Sequence, residues 1–203
     1  MPKTIYLVRH GETNFNTDSE PRVRGRIEIP LNEEGLRHAD QAGEFLKNEK
    51  IQAIYYSKIQ RAKQTADAVH KHHESAKFVE EPLMIDISWG DWEGKTYKEA
   101  FGSADGGMFM KNPALLEIPN GESFYQVIDR IDKMMRKILA SPEDTVCLVS
   151  HGAIFNLLAC YMFQSPLKNF WSFYMGGCAV SKIIIKDIDD FTVKYWNQTI
   201  HLK

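Results

Sequence analysis

Ile5-Tyr6-Leu7-Val8-Arg9-His10-Gly11-Glu12 begins as an apolar, β-branched and aromatic run and breaks at once into polar residues. Such a run fits a strand buried on both faces. The arrangement returns far downstream, where Thr145-Val146-Cys147-Leu148-Val149 leads straight into Ser150-His151-Gly152. Ligands of open α/β sheets sit at the carboxyl ends of the strands. A lone histidine after a strand is more often structural than functional. Two His-Gly junctions at two strand ends point to one site, and each glycine lets the backbone approach a ligand closely.

Working outward, Asn32 caps a helix whose buried face is expected to carry Leu36, Ala39, Gly43 and Leu46. Ile51 to Tyr56 reads as the next strand, and Ser57 opens a second helix with Ala62, Ala66 and Val69 turned inward. Val127, Ile128, Ile131, Met134, Met135, Ile138 and Leu139 fall at helical spacing, and Ala153 to Phe163 forms another helix. Val180 to Ile185 and Phe191 to Trp196 read as closing strands. Alternating strands and helices imply an α/β three-layer sandwich, with a mostly parallel central sheet flanked by helices. Between residues 86 and 125 the glycines and prolines break the pattern. A single domain over residues 1–203, with a short lid insertion at roughly 95–125, is the economical reading.

Composition narrows the function. The 25 basic and 27 acidic side chains leave a net charge of -2, against the basic excess of nucleic-acid binders. No apolar stretch reaches membrane-spanning length, and the N-terminus has no signal-peptide pattern, so a cytoplasmic location without a membrane partner is expected. Cys147, Cys160 and Cys178 are too few and too widely spaced for a disulfide framework. His70, His72 and His73 lack the carboxylate or thiolate company of a metal site, and they suit a helix C-terminus. Trp89 and Trp92 could stack on a substrate but read more readily as packing residues. Phe170, Trp171, Phe173 and Tyr174 fit a contact surface or buried packing equally well, and oligomeric state is not legible.

Arginine is the side chain best shaped to grip a phosphoryl group. Arg9 precedes His10, and Arg61 falls near the start of the helix after the second strand, at the same expected sheet edge. Arg9-His10-Gly11-Glu12-Thr13 through Asn16 resembles the histidine phosphatase superfamily, which includes cofactor-dependent phosphoglycerate mutases and many small phosphatases. The resemblance covers nearly the whole chain. Its further landmarks stand in order: Gly25 to Gly35, Ser57 to Ala66, Gly90-Asp91-Trp92-Glu93-Gly94, Gly121-Glu122-Ser123 and Ser150-His151-Gly152.

The resemblance implies a phosphatase in which neutral His10 attacks phosphorus and forms a phosphohistidine that water hydrolyses. It implies that Arg9, Arg61 and His151 supply positive charge to the phosphoryl oxygens, with Asn16 and the backbone N–H of Gly152 as further donors. His151 would serve as an imidazolium while His10 stays neutral, so their environments would push the two pKa values apart. No metal and no cofactor are expected, and the partner is a small phosphorylated metabolite. The general acid of the family is a glutamate four residues before the first glycine of the Gly-x-Trp-Glu-Gly motif. Here that position is Asp86, one methylene shorter, with Glu93 in reserve. A second departure is Arg24, where relatives often have glutamine. Facing the pocket, it would favour substrates with a second anionic group, and a solvated surface arginine is the equal alternative. Two competing readings remain, a phosphoglycerate mutase and a catalytically weak phospho-ligand binding protein. The short lid admits water and favours hydrolysis over the first. A complete nucleophile set argues against the second.

Overall fold

A computed structural model describes residues 1–203 apart from residues 18, 21, 104 and 105. Six strands form one sheet: β1 Lys3–Arg9, β2 Ala53–Tyr56, β3 Lys77–Glu80, β4 Thr145–Ser150, β5 Val180–Asp187 and β6 Asp190–Gln198, in the order β3-β2-β4-β1-β5-β6. The first four run parallel, and β5 and β6 add an antiparallel pair beside β1. The α-helices are α1 Asn14–Thr17, α2 Glu33–Leu46, α3 Gln60–His70, α4 Tyr97–Phe101, α5 Gly107–Lys111, α6 Phe124–Ala140 and α7 Gly152–Met162.

Alternation along β1 divides the core in two. Ile5 and Leu7 pack with Met84, Ile87, Val127, Ile131 and Leu158 on the α6–α7 face. Tyr6 and Val8 pack with Ala39, Leu46, Ala66 and Val69 on the α2–α3 face. The mostly parallel sheet is thus covered on both sides, as expected. Each wholly buried aliphatic side chain contributes about 1.5–3 kcal/mol. No helix of the described residues is long and apolar enough to cross a membrane.

Local chemistry sets the boundaries. The Asn32 side chain accepts from Gly35 N and caps α2, and Ser123 with Gln126 forms a capping box on α6. Helix α3 begins at Gln60 rather than at Ser57. It has no cap of its own, and the Glu28 carboxylate accepts its Gln60 N–H at 2.9 Å. Strand β3 has no counterpart in the sequence reading, because only Phe78 and Val79 carry its signal and both lie half-buried at a sheet edge. Leu36 is 45% exposed, contrary to expectation. The inward stripe of α2 is Gly35, Ala39, Ala42, Gly43 and Leu46.

Gly35 belongs to that stripe because nothing larger fits. A Cβ there would stand 2.1 Å from the carbonyl oxygen of Glu12, and one on Gly11 would stand 2.7 Å from that of Gly35. Gly11 therefore serves the seam between α2 and the loop after β1 rather than ligand approach. Gly35→Ala should lower stability by about 1–3 kcal/mol, whereas Leu36→Ala should cost under about 0.5 kcal/mol. Urea denaturation midpoints at unchanged slope would show the difference, and equal midpoints would contradict the seam.

Candidate active site

Three strand ends meet at one level. In the parallel register Arg9 lies opposite Ser150 and Tyr56 opposite Val149. The His10 N–H donates to the Ser150 carbonyl at 2.9 Å, and that of Ser57 to the Val149 carbonyl at 3.0 Å. The His10 and His151 rings come within 5.2 Å between centroids, tilted by 58°. Both are buried.

Nδ1 of His10 lies 2.7 Å from the Gly11 carbonyl oxygen. A carbonyl only accepts, so Nδ1 carries the proton and Nε2 holds a free lone pair. Burial pushes the His10 pKa well below its usual value, and Arg61, His151, Arg9 and Arg24 push it further. Nε2 of His151 meets the Ser57 hydroxyl at 2.8 Å. Its Nδ1 stands 3.4 Å from Asp86 Oδ2, without the alignment of a hydrogen bond. Burial, then Arg61, Arg24 and Arg9, pushes His151 well below its usual pKa as well. Burial first, and then the shared guanidiniums, push both rings toward the neutral form, whereas the expectation for His151 was a charged ring.

The arginines are fixed in different ways. Arg61, on α3, is wholly buried. Its Nη1 donates to the Ile27 carbonyl at 2.9 Å, and its Nη2 to the Gly25 carbonyl at 2.7 Å and to Asp86 Oδ2 at 3.1 Å. Arg9 donates from Nη1 to the Met175 carbonyl, while its Nε has no partner. A Cβ on Gly152 would come within 3.1 Å of that Nε, so the glycine keeps room for the guanidinium. Gly152 opens α7, which leaves its N–H without an intrahelical acceptor. Oδ1 of Asn16 accepts from the Thr13 N–H and hydroxyl, both at 3.0 Å, leaving the Asn16 NH₂ to the cavity it lines. Arg24 is half-buried, with a shielded, unpartnered Nη1.

Asp86 joins this cluster. Its Oδ1 accepts from Ile87 N at 2.9 Å, and its Oδ2 faces Arg61 and His151. Burial raises its pKa above the usual carboxylate value, opposed by Arg61 and Arg24. A bracket that sequence reasoning did not find holds the backbone here. Arg130, on α6, donates to the carbonyls of Leu83 and Ile85, both at 2.7 Å, and to that of Asp86 at 3.2 Å. Arg26 donates to the Asp86 carbonyl at 3.0 Å, and Glu122 pairs with both arginines and accepts from Ser88 N. The polar Arg130 beside the apolar stripe of α6 was the available signal. Glu93 accepts from Arg26 N and Trp89 N, both at 3.1 Å, and acts as a backbone clamp.

A cavity of about 230 Å³ opens over the cluster, with Arg9, His10, Arg24 and Asp86 in its lining and Trp89, Tyr97, Phe109 and Trp171 forming an aromatic wall. Tyr97 and Phe109 come from α4 and α5, within the expected lid range, of which residues 104 and 105 lie outside the described residues. Trp171 donates from Nε1 to the Phe109 carbonyl at 2.9 Å and packs against the segment, Phe170 is buried, Phe173 stacks on Phe163, and Tyr174 is exposed. Among the described residues no group of three His, Cys, Asp or Glu side chains could hold a metal ion. His70 stacks on Phe78, and His73 meets the Leu46 carbonyl at 3.1 Å.

Comparison with known proteins agrees with this architecture. Residues 5–199 match the Histidine phosphatase superfamily (branch 1). The chain is 35% identical to a metal-independent phosphoserine phosphatase of Arabidopsis thaliana, over 98% of this chain and 82% of that protein. It is 28% identical to a probable phosphoglycerate mutase, GpmB, of Proteus mirabilis, over 88% of this chain and 83% of the other. The solved structure of Bacillus stearothermophilus YhfR superimposes with a TM-score of 0.88 at 32% identity, covering 99% of this chain and all of that one. The chain belongs to branch 1 of the histidine phosphatase superfamily and is a phosphatase enzyme.

Proposed function

We propose that the protein hydrolyses phosphomonoesters of small metabolites through a phosphohistidine on Nε2 of His10, without a metal ion. One observation carries this reading. The Gly11 carbonyl fixes the His10 tautomer, so a bare, neutral nitrogen faces a pocket lined by Arg9 and Arg24, with the charge of buried Arg61 close behind. Phosphoryl transfer asks mainly for alignment and for charge on the equatorial oxygens, and fixed guanidiniums supply both. The metal-independent plant relative supports the same chemistry, and phosphoserine is a candidate substrate on that ground.

In the first step the Nε2 lone pair attacks phosphorus, the P–O ester bond breaks, and Asp86 gives its proton to the leaving oxygen. In the second, the Asp86 carboxylate takes a proton from water as the water oxygen attacks phosphorus. The P–N bond then breaks and returns its electron pair to His10. Arg9, Arg61, Asn16 and the Gly152 N–H hold the phosphoryl oxygens. The segment over residues 95–125 is the lid, its Tyr97 and Phe109 set over the leaving group. An approaching phosphoryl dianion offsets the guanidinium charge around His151 and raises its pKa, so the ring can share a proton with the transferred group. The GpmB relative keeps a mutase reading in view, and a requirement for a bisphosphoglycerate primer would select it.

Hydrolysis of p-nitrophenyl phosphate from about pH 5 to pH 8 should resist EDTA and fall by about 10³-fold or more in His10→Ala. Activity surviving in that variant would remove His10 from the mechanism.

The pH dependence follows from two opposite shifts. His10 stays neutral below its ordinary pKa of about 6.5, so the acid limb of kcat/KM should lie below that pH. Asp86 stays protonated above its ordinary value, and its ionisation sets the alkaline limb. Asp86→Asn should abolish that limb and leave the acid one. It should cost about 10²–10⁴-fold on alkyl phosphates but less on p-nitrophenyl phosphate, whose phenolate leaves without a proton. An equal loss on both substrates would argue against general acid catalysis by Asp86.

A further inference from the structure

Among the described residues Arg9 Nε, Arg61 Nε and Arg24 Nη1 are all shielded without a partner, but the other nitrogens anchor Arg9 and Arg61 while the Arg24 guanidinium has no such anchor. Arg61 spends its Nη groups on two carbonyls and Asp86, and Arg9 is tied to Met175. No residue among those described makes a hydrogen bond to Nη1 of Arg24, although that atom is shielded from solvent. Buried guanidinium charge is normally paired, because losing water without gaining an acceptor is costly. Desolvation, with Arg9 and Arg61 nearby, lowers its pKa to about 10. It remains a full cation at neutral pH.

The backbone around it is fixed. Gly25 takes a φ of +52°, and a Cβ there would stand 2.3 Å from the Glu93 carboxylate. The Gly25 carbonyl is the one that Arg61 grips, Val23 N donates to Lys95 O, and Gly94 N donates to Val23 O. Arg24 is thereby pinned between the phosphoryl cluster and the start of α4, on the rim where the leaving group of a substrate would lie against Tyr97.

Building on the hydrolase reading above, we propose that Arg24 determines specificity by binding a carboxylate carried on the leaving portion of the substrate. Within the cavity lining, the Arg24 guanidinium is held by no hydrogen bond from a described residue, which leaves its charge for one anionic group of the substrate. The planar guanidinium also matches a carboxylate with two parallel hydrogen bonds. The aromatic wall accepts a flat apolar body between the two anions.

The test compares 2-, 3- and 4-carboxyphenyl phosphates with their carbamoyl counterparts, which have nearly the same shape but no charge. The native protein should prefer the carboxylate at one ring position or more by about ten- to hundredfold in kcat/KM, mostly through KM. In Arg24→Gln the ratio should fall to about one, and Arg24→Lys should restore part of it. No preference at any ring position, or an unchanged ratio in Arg24→Gln, would overturn the proposal. Calorimetric binding of the matching carboxybenzyl and carbamoylbenzyl phosphonates, which cannot turn over, reads the same preference without catalysis. A charge preference there in a protein that hydrolyses nothing would sink the hydrolase reading and keep the role of Arg24. Turnover with no such preference would do the reverse.

Discussion

The bond from the His10 N–H to the Ser150 carbonyl closes the ends of the two central parallel strands at one level, and the rest of the site hangs from that register. A one-residue slip of β1 against β4 would turn every side chain of β1 to the opposite face. Ile5 and Leu7 would leave the α6–α7 core, and the His10 ring would lose its neighbour. The hydrophobic alternation that fixes the sheet and the placement of the two rings are one constraint. The apolar core thus specifies the geometry of the candidate site without contributing an atom to the histidine pair.

Around that fixed point the protein gathers charge that it does not neutralise. Arg9 and Arg61 are oriented mainly by backbone carbonyls, and among the described residues Asp86 is the carboxylate that Arg61 meets. Carbonyls orient an arginine without cancelling its charge, so the field at the cavity stays positive while the side chains stay in place. The ion pair of Arg61 with Asp86 loses its Coulombic attraction whenever Asp86 is protonated.

What the sequence made legible follows the same division. Arg9, His10, Ser150 and His151 could be placed because each lies within a residue or two of a strand end, where local pattern and topology agree. Asp86 was found by its offset from a glycine motif, and the shorter side chain still reaches Arg61. Ser57 was taken for a helix opener, because nothing local shows that its hydroxyl is used by a histidine 94 residues away. Arg130 and Glu122 act across the boundary between α6 and the Asp86 loop, a relation no periodicity encodes. Strand β3 escaped because edge strands carry a weak apolar signal, and Leu36 misled because its hydrophobicity outweighed its place on the helix. The shared downward shift of the two histidines comes from burial first and then from arginines brought together by folding, so it was invisible beforehand.

The seam between Gly11, Glu12 and Gly35 has a meaning for anyone who would alter this enzyme. Two backbones lie there at a separation that admits hydrogen atoms only, one next to His10 and the other in the first turn of α2, 24 positions later. The two glycines are therefore a single part made in two places. A homologous loop or helix cannot be transplanted alone, because the donor's side chain at either position would collide with the host's main chain. Chimeras that exchange residues 11–35 as one block preserve the joint, and those that cut between them do not.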